Sequence, residues 1–244
     1  MSIRSSFSNF LRSILRNSGR EVVHYDVLHF PELYKQNLLQ LRKITQVLDV
    51  GGNLGQTGEE LREGGYRGKV ASFEPLSKPF EVLAAKAKAD GNWTAENYAL
   101  GDAPRTAEIN VSGFAASSSF LPMADRHTSI VPESAYTGTE TVKIETLDSI
   151  FNQFVLPADR TMLKIDTQGY EMSVLLGARE SLPKIDIVQL EVSTVLLYKG
   201  QPKYYEVMKF LDEAGFDLAN IIPAFYDGKT AQFLQADAIF IRSK

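Results

Sequence analysis

The sequence predicts an α/β protein, a mostly parallel twisted sheet with helices on both faces and an antiparallel hairpin at its C-terminal end. Three observations carry this. Short β-branched or apolar runs alternate with longer segments of 3.6-residue period. The first such run flows through a glycine cluster, "VLDVGGNLGQTG", into a helix-like tail. Near the C-terminus, apolar runs flank Asp227-Gly228, a dipeptide that favours tight hairpin turns.

From Met1 to Arg20 there is no acidic residue, and Ile3, Phe7, Phe10, Leu11, Ile14 and Leu15 recur at helical spacing beside Arg4, Arg12, Arg16 and Arg20. This is the pattern of a basic amphipathic helix, and residues 1–35 read as an N-terminal cap. Two roles fit it: docking on its own domain, or peripheral contact with an anionic membrane surface. It has no continuous apolar core of a signal peptide and is expected in the mature protein. Residues 36–244 then read as one domain.

Within that domain "QVLDVGG" is the first strand and "GKVASFEP" the second. After Pro75, the residues Phe80, Leu83, Ala84 and Ala87 mark one face of a helix. "WTAENYAL" reads as the third strand. "TAEINVSG" and "ETVKIETLDSI" look like strands with no helix between them, enclosing the polar stretch Phe114 to Thr139, so about 106–150 reads as an insertion. "TMLKIDT" is the fourth strand, followed by a helix carrying Val174, Leu175 and Ala178. "IDIVQLEVS" is the fifth, followed by a helix carrying Tyr204, Val207, Met208 and Leu211 and closed by Gly215. The hairpin about Asp227-Gly228 completes the sheet.

With 44% hydrophobic and 23% charged residues over 244 positions, the composition is that of a globular protein with a sizeable core. A net charge of -4 argues against nucleic acid as a partner. No apolar run approaches the roughly 20 residues that span a bilayer. Cysteine is absent, which removes thiolate nucleophiles, disulfides and cysteine-ligated metals and suits a reducing cytoplasm. The histidines His24, His29 and His127 have no metal-motif spacing, so a metal would lean on carboxylates.

Gly51, Gly52 and Gly55 follow the first strand, where an open α/β sheet lets bare backbone approach a nucleotide-like ligand. The spacing is not G-x-G-x-x-G, since position 53 is Asn and position 54 is Leu, and no G-x-x-x-x-G-K-[ST] occurs. Glu74 ends the second strand 19 residues after Gly55, the separation of an acid that meets a ribose hydroxyl. Asp49 would repel a diphosphate and suits a cationic ligand bearing an amino group. S-adenosylmethionine, an adenosine joined to a sulfonium and an ammonium, meets both conditions.

"VLDVGGNLGQTG", "SFEP", "NYALGD", "SSSFLPM", "ETLDSI", "LKIDTQGYEMSVLLGA" and "QLEVSTVLLYKGQP", in this order, closely resemble the FkbM family of S-adenosylmethionine-dependent methyltransferases. The resemblance spans about Gln46 to Lys203. It implies a Rossmann-like class I methyltransferase fold and O-methylation of hydroxyl groups, often on sugars or natural products. It also implies Asp49, Gly51, Asn53 and Gly55 around the methionine moiety, Glu74 on the ribose, and Asn97, Ala99 and Leu100 beside the adenine.

An alkyl hydroxyl needs a general base or a metal to become a nucleophile. Asp166, at the end of the fourth strand, is the first candidate; capping the next helix is its competing role. Glu191, late in the apolar fifth strand, needs a functional or ionic partner unless it is solvated. His127 in the inserted stretch has a pKa suited to proton transfer, or else faces solvent. Together Asp166, Glu191 and His127 offer a divalent metal two oxygens and one nitrogen. Ser118 and Ser119 are candidates to hydrogen-bond the acceptor, and Tyr198 and Lys199 to shape its pocket. The expected acceptor is a small molecule or glycan. Two rivals stand beside this reading: an NAD-dependent sugar-nucleotide enzyme and a non-catalytic S-adenosylmethionine-binding module. The first would want the dinucleotide spacing and often Tyr-x-x-x-Lys, whereas Tyr198 and Lys199 are adjacent.

Overall fold

The computed structural model describes residues 30–243 together with Leu15. Apart from Leu15, the expected basic N-terminal helix lies outside the described residues, as do His24 and His29. In chain order the elements are α1 (Pro31–Leu41), β1 (Gln46–Val50), α2 (Gln56–Glu63), β2 (Lys69–Phe73), α3 (Ser77–Asp90), β3 (Trp93–Glu96), β4 (Ala99–Leu100), β5 (Arg105–Ser112), α4 (Asp125–Ile130), β6 (Tyr136–Glu145), α5 (Leu147–Phe154), β7 (Thr161–Ile165), α6 (Glu171–Leu176), β8 (Ile187–Ser193), α7 (Tyr204–Glu213), β9 (Phe216–Tyr226) and β10 (Phe233–Arg242).

Seven strands form the main sheet in the order β3-β2-β1-β7-β8-β10-β9. β10 runs antiparallel to both its neighbours, inserted between β8 and β9; the rest of the sheet is parallel. β1 and β7 are buried on both faces, which is why their sequences are near-continuous apolar runs. On one face Leu48, Val50, Leu163, Ile165, Val188 and Leu190 pack under α5, α6 and α7 through Leu147, Ile150, Phe151, Val174, Leu175, Val207 and Leu211. On the other, Val47, Met162 and Ile187 pack under α1, α2 and α3 through Leu39, Leu61, Leu83 and Ala87. Burying a side chain of this size contributes about 1.5–3 kcal/mol.

Two expectations change in detail. The third strand divides: β3 stays in the main sheet, whereas β4 joins β6 and β5 in a separate three-stranded sheet. The Asn97 amide causes the turn, donating to the main-chain oxygens of Glu74 (2.9 Å) and Pro75 (3.0 Å). Likewise "ETVKIETLDSI" is strand only as far as Glu145. Thr146 then caps α5 by accepting from the Ser149 amide, and Leu147, Ile150 and Phe151 turn into the main core. The C-terminal part of the 106–150 stretch is therefore integral to that core. Among the described residues, no helix is long and apolar enough to cross a membrane.

Candidate active site

The chain leaves β1 toward β2 on one side and returns to β7 on the other, so a crevice opens beyond their carboxyl ends. A cavity of about 310 Å³ occupies it. Its floor is the loop after β1. Gly51 lies there at φ +82°, and a Cβ on it would stand 1.9 Å from the main-chain oxygen of Asp166. Only glycine lets the loop after β1 and the end of β7 come this close.

Of the residues expected to hold the cofactor, Gly51, Asn53, Glu74, Ala99 and Leu100 line the cavity. Glu74 accepts from the amides of Asn53 and Leu76, both at 2.8 Å, so it ties the glycine loop to the end of β2. Burial pushes its carboxyl up to about 7, against those two donors and with help from the charge of Asp49. Asn53 Oδ1 is buried with no hydrogen-bond partner among the described residues, an acceptor available to a ligand's N–H. Bare backbone, an acid at the end of β2, an orphan acceptor and the apolar Leu76, Ala99, Leu100 and Ile109 fit S-adenosylmethionine. Glu74 would hold its ribose, Gly51 and Asn53 its methionine end, and Ala99 with Leu100 its adenine.

Asp49, Gly52, Gly55 and Asn97 do not line the cavity. Asn97 is the turn clamp already described. Asp49 is wholly buried; it accepts from Ser72 Oγ (2.8 Å), and its Oδ1 lies 3.4 Å from Lys164 Nζ. Its charge is thus directed at Lys164 behind the loop and not at the cavity. Lys164 also approaches Asp166 Oδ2 at 3.4 Å. Burial opposes its charge, but Asp166, Asp49 and Asp237 outweigh that and raise its pKa.

The other end of the cavity gathers Asp166, Glu191 and His127. Asp166 caps no helix: the N-cap of α6 is Tyr170, and Glu171 instead holds the intervening loop by accepting from the amides of Thr167 (3.0 Å) and Gly169 (3.1 Å). Among the described residues Glu191 meets no cation directly. It accepts from Nε2 of Gln168 (3.1 Å) and of Gln235 (2.6 Å). Burial, then the negative charge of Asp166, raises its pKa well above the ordinary carboxyl range. His127 is buried on α4, edge-on to the Tyr198 ring at 5.1 Å, and its Nδ1 has no hydrogen-bond partner among the described residues. Burial lowers its pKa, so the imidazole is held neutral.

The metal expectation is corrected here: among the described residues no three acidic or histidine side chains are grouped so as to hold an ion. A neutral amide stands in the middle instead. Gln168 donates to Asp166 Oδ1 (2.8 Å) as well as to Glu191, accepts from the Tyr198 hydroxyl (2.8 Å), and its main-chain oxygen accepts from Ser119 Oγ (2.7 Å). Ser118 lines the cavity and its Oγ accepts from the Ser112 amide (3.0 Å). Ser119 and Tyr198 brace Gln168 from outside the cavity wall, and Lys199 is exposed. Gln168 and Gln235 are cavity-lining amides that sequence reasoning missed. The one local hint was Gln168-Gly169 directly after Asp166, a glutamine held at φ 54°.

An open sheet with one antiparallel strand inserted near its edge, and a nucleoside-sized crevice lacking dinucleotide spacing, defines a Rossmann-like class I methyltransferase. The Methyltransferase FkbM domain matches residues 49–218, and the chain belongs to that family. No curated protein matches the chain. Among solved structures it is similar to a precorrin-6y C5,15-methyltransferase from Geobacter metallireducens, at 11% identity over 87% of each chain with a TM-score of 0.46. It is also similar to M. capricolum TrmK in complex with S-adenosyl-homocysteine, at 10% identity over 86% of this chain and 69% of that one, TM-score 0.47. A third is a TehB-like SAM-dependent methyltransferase from Corynebacterium glutamicum, at 9% identity over 98% and 97% of the chains, TM-score 0.42.

Proposed function

We propose that this methyltransferase moves a methyl group from S-adenosylmethionine to a hydroxyl of a small molecule, a sugar, glycan or natural product, in the cytoplasm. The observation that carries the reading is one cavity joining the Gly51, Asn53 and Glu74 cradle to Asp166 at the carboxyl end of β7. When bound, the cofactor supplies a methyl group on a sulfonium sulfur, activated for in-line displacement. Asp166 is the base that takes the acceptor's proton, half-buried on the cavity wall. Gln168 on its Oδ1 and Lys164 on its Oδ2 fix its orientation, which keeps the reacting groups aligned. His127, held neutral by burial, lines the same cavity and is a second proton acceptor.

The test is incubation with methyl-labelled cofactor and a panel of sugars and polyketide alcohols, comparing wild type with Asp166→Asn. Label transfer by wild type, reduced about 10²–10⁴-fold in the variant, is the expected result. Equal turnover removes Asp166 from the mechanism. Cofactor binding with no turnover on any acceptor supports the binding-module alternative, and calorimetry that detects NAD but not S-adenosylmethionine returns the dinucleotide one.

A further inference from the structure

Apart from the neutral His127, the ionisable groups that line the cavity among the described residues are all acidic: Glu74, Asp166 and Glu191. No lysine or arginine lines it among the described residues. Lys164, behind Asp166, is already shared between that residue and Asp49. The amide donors at this end are committed as well. Gln168 Nε2 serves both Asp166 and Glu191, and Gln235 Nε2 serves Glu191 and, at 3.3 Å, Ser193 Oγ. Among the described residues, a phosphate or carboxylate entering here would meet no lysine or arginine and would approach the Asp166 carboxylate. One like-charge contact at about 5 Å, at an effective dielectric of about 20, weakens binding by roughly 10²-fold.

What the cavity does offer is acceptors for O–H donors and, beside the rings of Phe73 and Phe120, those of Phe114 and Phe225. Phe114, 52% exposed, comes from the stretch after β5, and the half-buried Phe225 from the end of β9; both line the cavity. A large ring left exposed beside a cavity is surface that a ligand's apolar face can cover. We infer that the acceptor is an uncharged, hydroxyl-bearing ring compound, its apolar face on Phe114 and Phe225 and its hydroxyls on Asp166 and Glu191, and that phosphorylated, nucleotide-linked and carboxylated acceptors are excluded. This deepens the methyl-transfer reading and rests on it.

The test uses the full chain saturated with S-adenosylhomocysteine, whose binding is first measured by calorimetry. Ligand-observed NMR then compares methyl glucopyranoside, its 6-phosphate and methyl glucuronide at one ionic strength. The neutral glycoside is expected to bind at least tenfold tighter than either anion, and to weaken at least fivefold in Phe114→Ala and Phe225→Ala proteins whose circular dichroism matches wild type. An anion that binds as tightly as the neutral sugar overturns the inference. So does binding by none of the three, and so does glycoside binding that both alanine variants leave intact. Failure of S-adenosylhomocysteine to bind sinks the methyl-transfer reading itself, an outcome separate from these.

Discussion

Replacing Gly51 with alanine tests the contact on which the cavity is built. The new Cβ meets two costs. At φ +82° an L-residue is strained by about 1–2 kcal/mol. The methyl would also land 1.9 Å from the Asp166 main-chain oxygen, and because the obstacle is backbone the loop or β7 must move, an overpacking cost of about 1–3 kcal/mol. Gly65→Ala isolates the first cost, because Gly65 has φ +86° and a Cβ placed there would meet nothing within 4 Å. Urea unfolding should therefore place Gly51→Ala about 2–5 kcal/mol below wild type, and at least about 1 kcal/mol below Gly65→Ala. Because any relaxation displaces the amides of the cofactor cradle, calorimetry should show S-adenosylmethionine affinity falling at least about tenfold, or 1.4 kcal/mol, in the first variant only. Equal stability of the two variants, with cofactor affinity retained, would refute the close approach of these segments.

Lys164→Met should destabilise the chain by about 3–5 kcal/mol, since it strands the wholly buried Asp49 carboxylate without its cation, and Asp49→Asn in the same protein should recover part of that loss in urea unfolding. Glu74 and Glu171 are raised from 4.5 to about 7 by burial, so the folded chain keeps protons that the unfolded chain gives up above about pH 4.5. Their contribution is full below 4.5 and is lost as pH rises to about 7, by up to roughly 3 kcal/mol per group; Glu171→Gln should flatten that fall in unfolding measured at pH 4.5, 6 and 7. Exhaustive chelation should leave methyl transfer unchanged, because the carboxylates at the end of β7 and β8 are bridged by the Gln168 amide, and a loss of activity restored by a divalent ion would contradict this.

Local signals sufficed for the first, second, fourth and fifth strands, the glycine loop, the C-terminal hairpin and the acid at Glu74, since periodicity, turn residues and spacing act over a few residues at a time. They also placed Asp166 and Glu191 at the carboxyl ends of neighbouring strands, whereas His127, in the inserted stretch, was left between the site and solvent. The direction in which Asp49 points was not legible: all five residues of β1 are buried, so the strand carries no polar alternation to say which face a side chain takes. Asn97 could be read as strand because its clamp on Glu74 and Pro75 joins positions 23 and 22 residues apart. Gln168 is the clearest case. Its partners Ser119, Tyr198 and Glu191 lie 49, 30 and 23 residues away, and only the packing of the inserted stretch against the β7 and β8 loops brings them together. Hydrophobic pattern determines which segments are buried, whereas the pairing of buried polar groups depends on which surfaces meet, and that is settled only when the chain closes on itself.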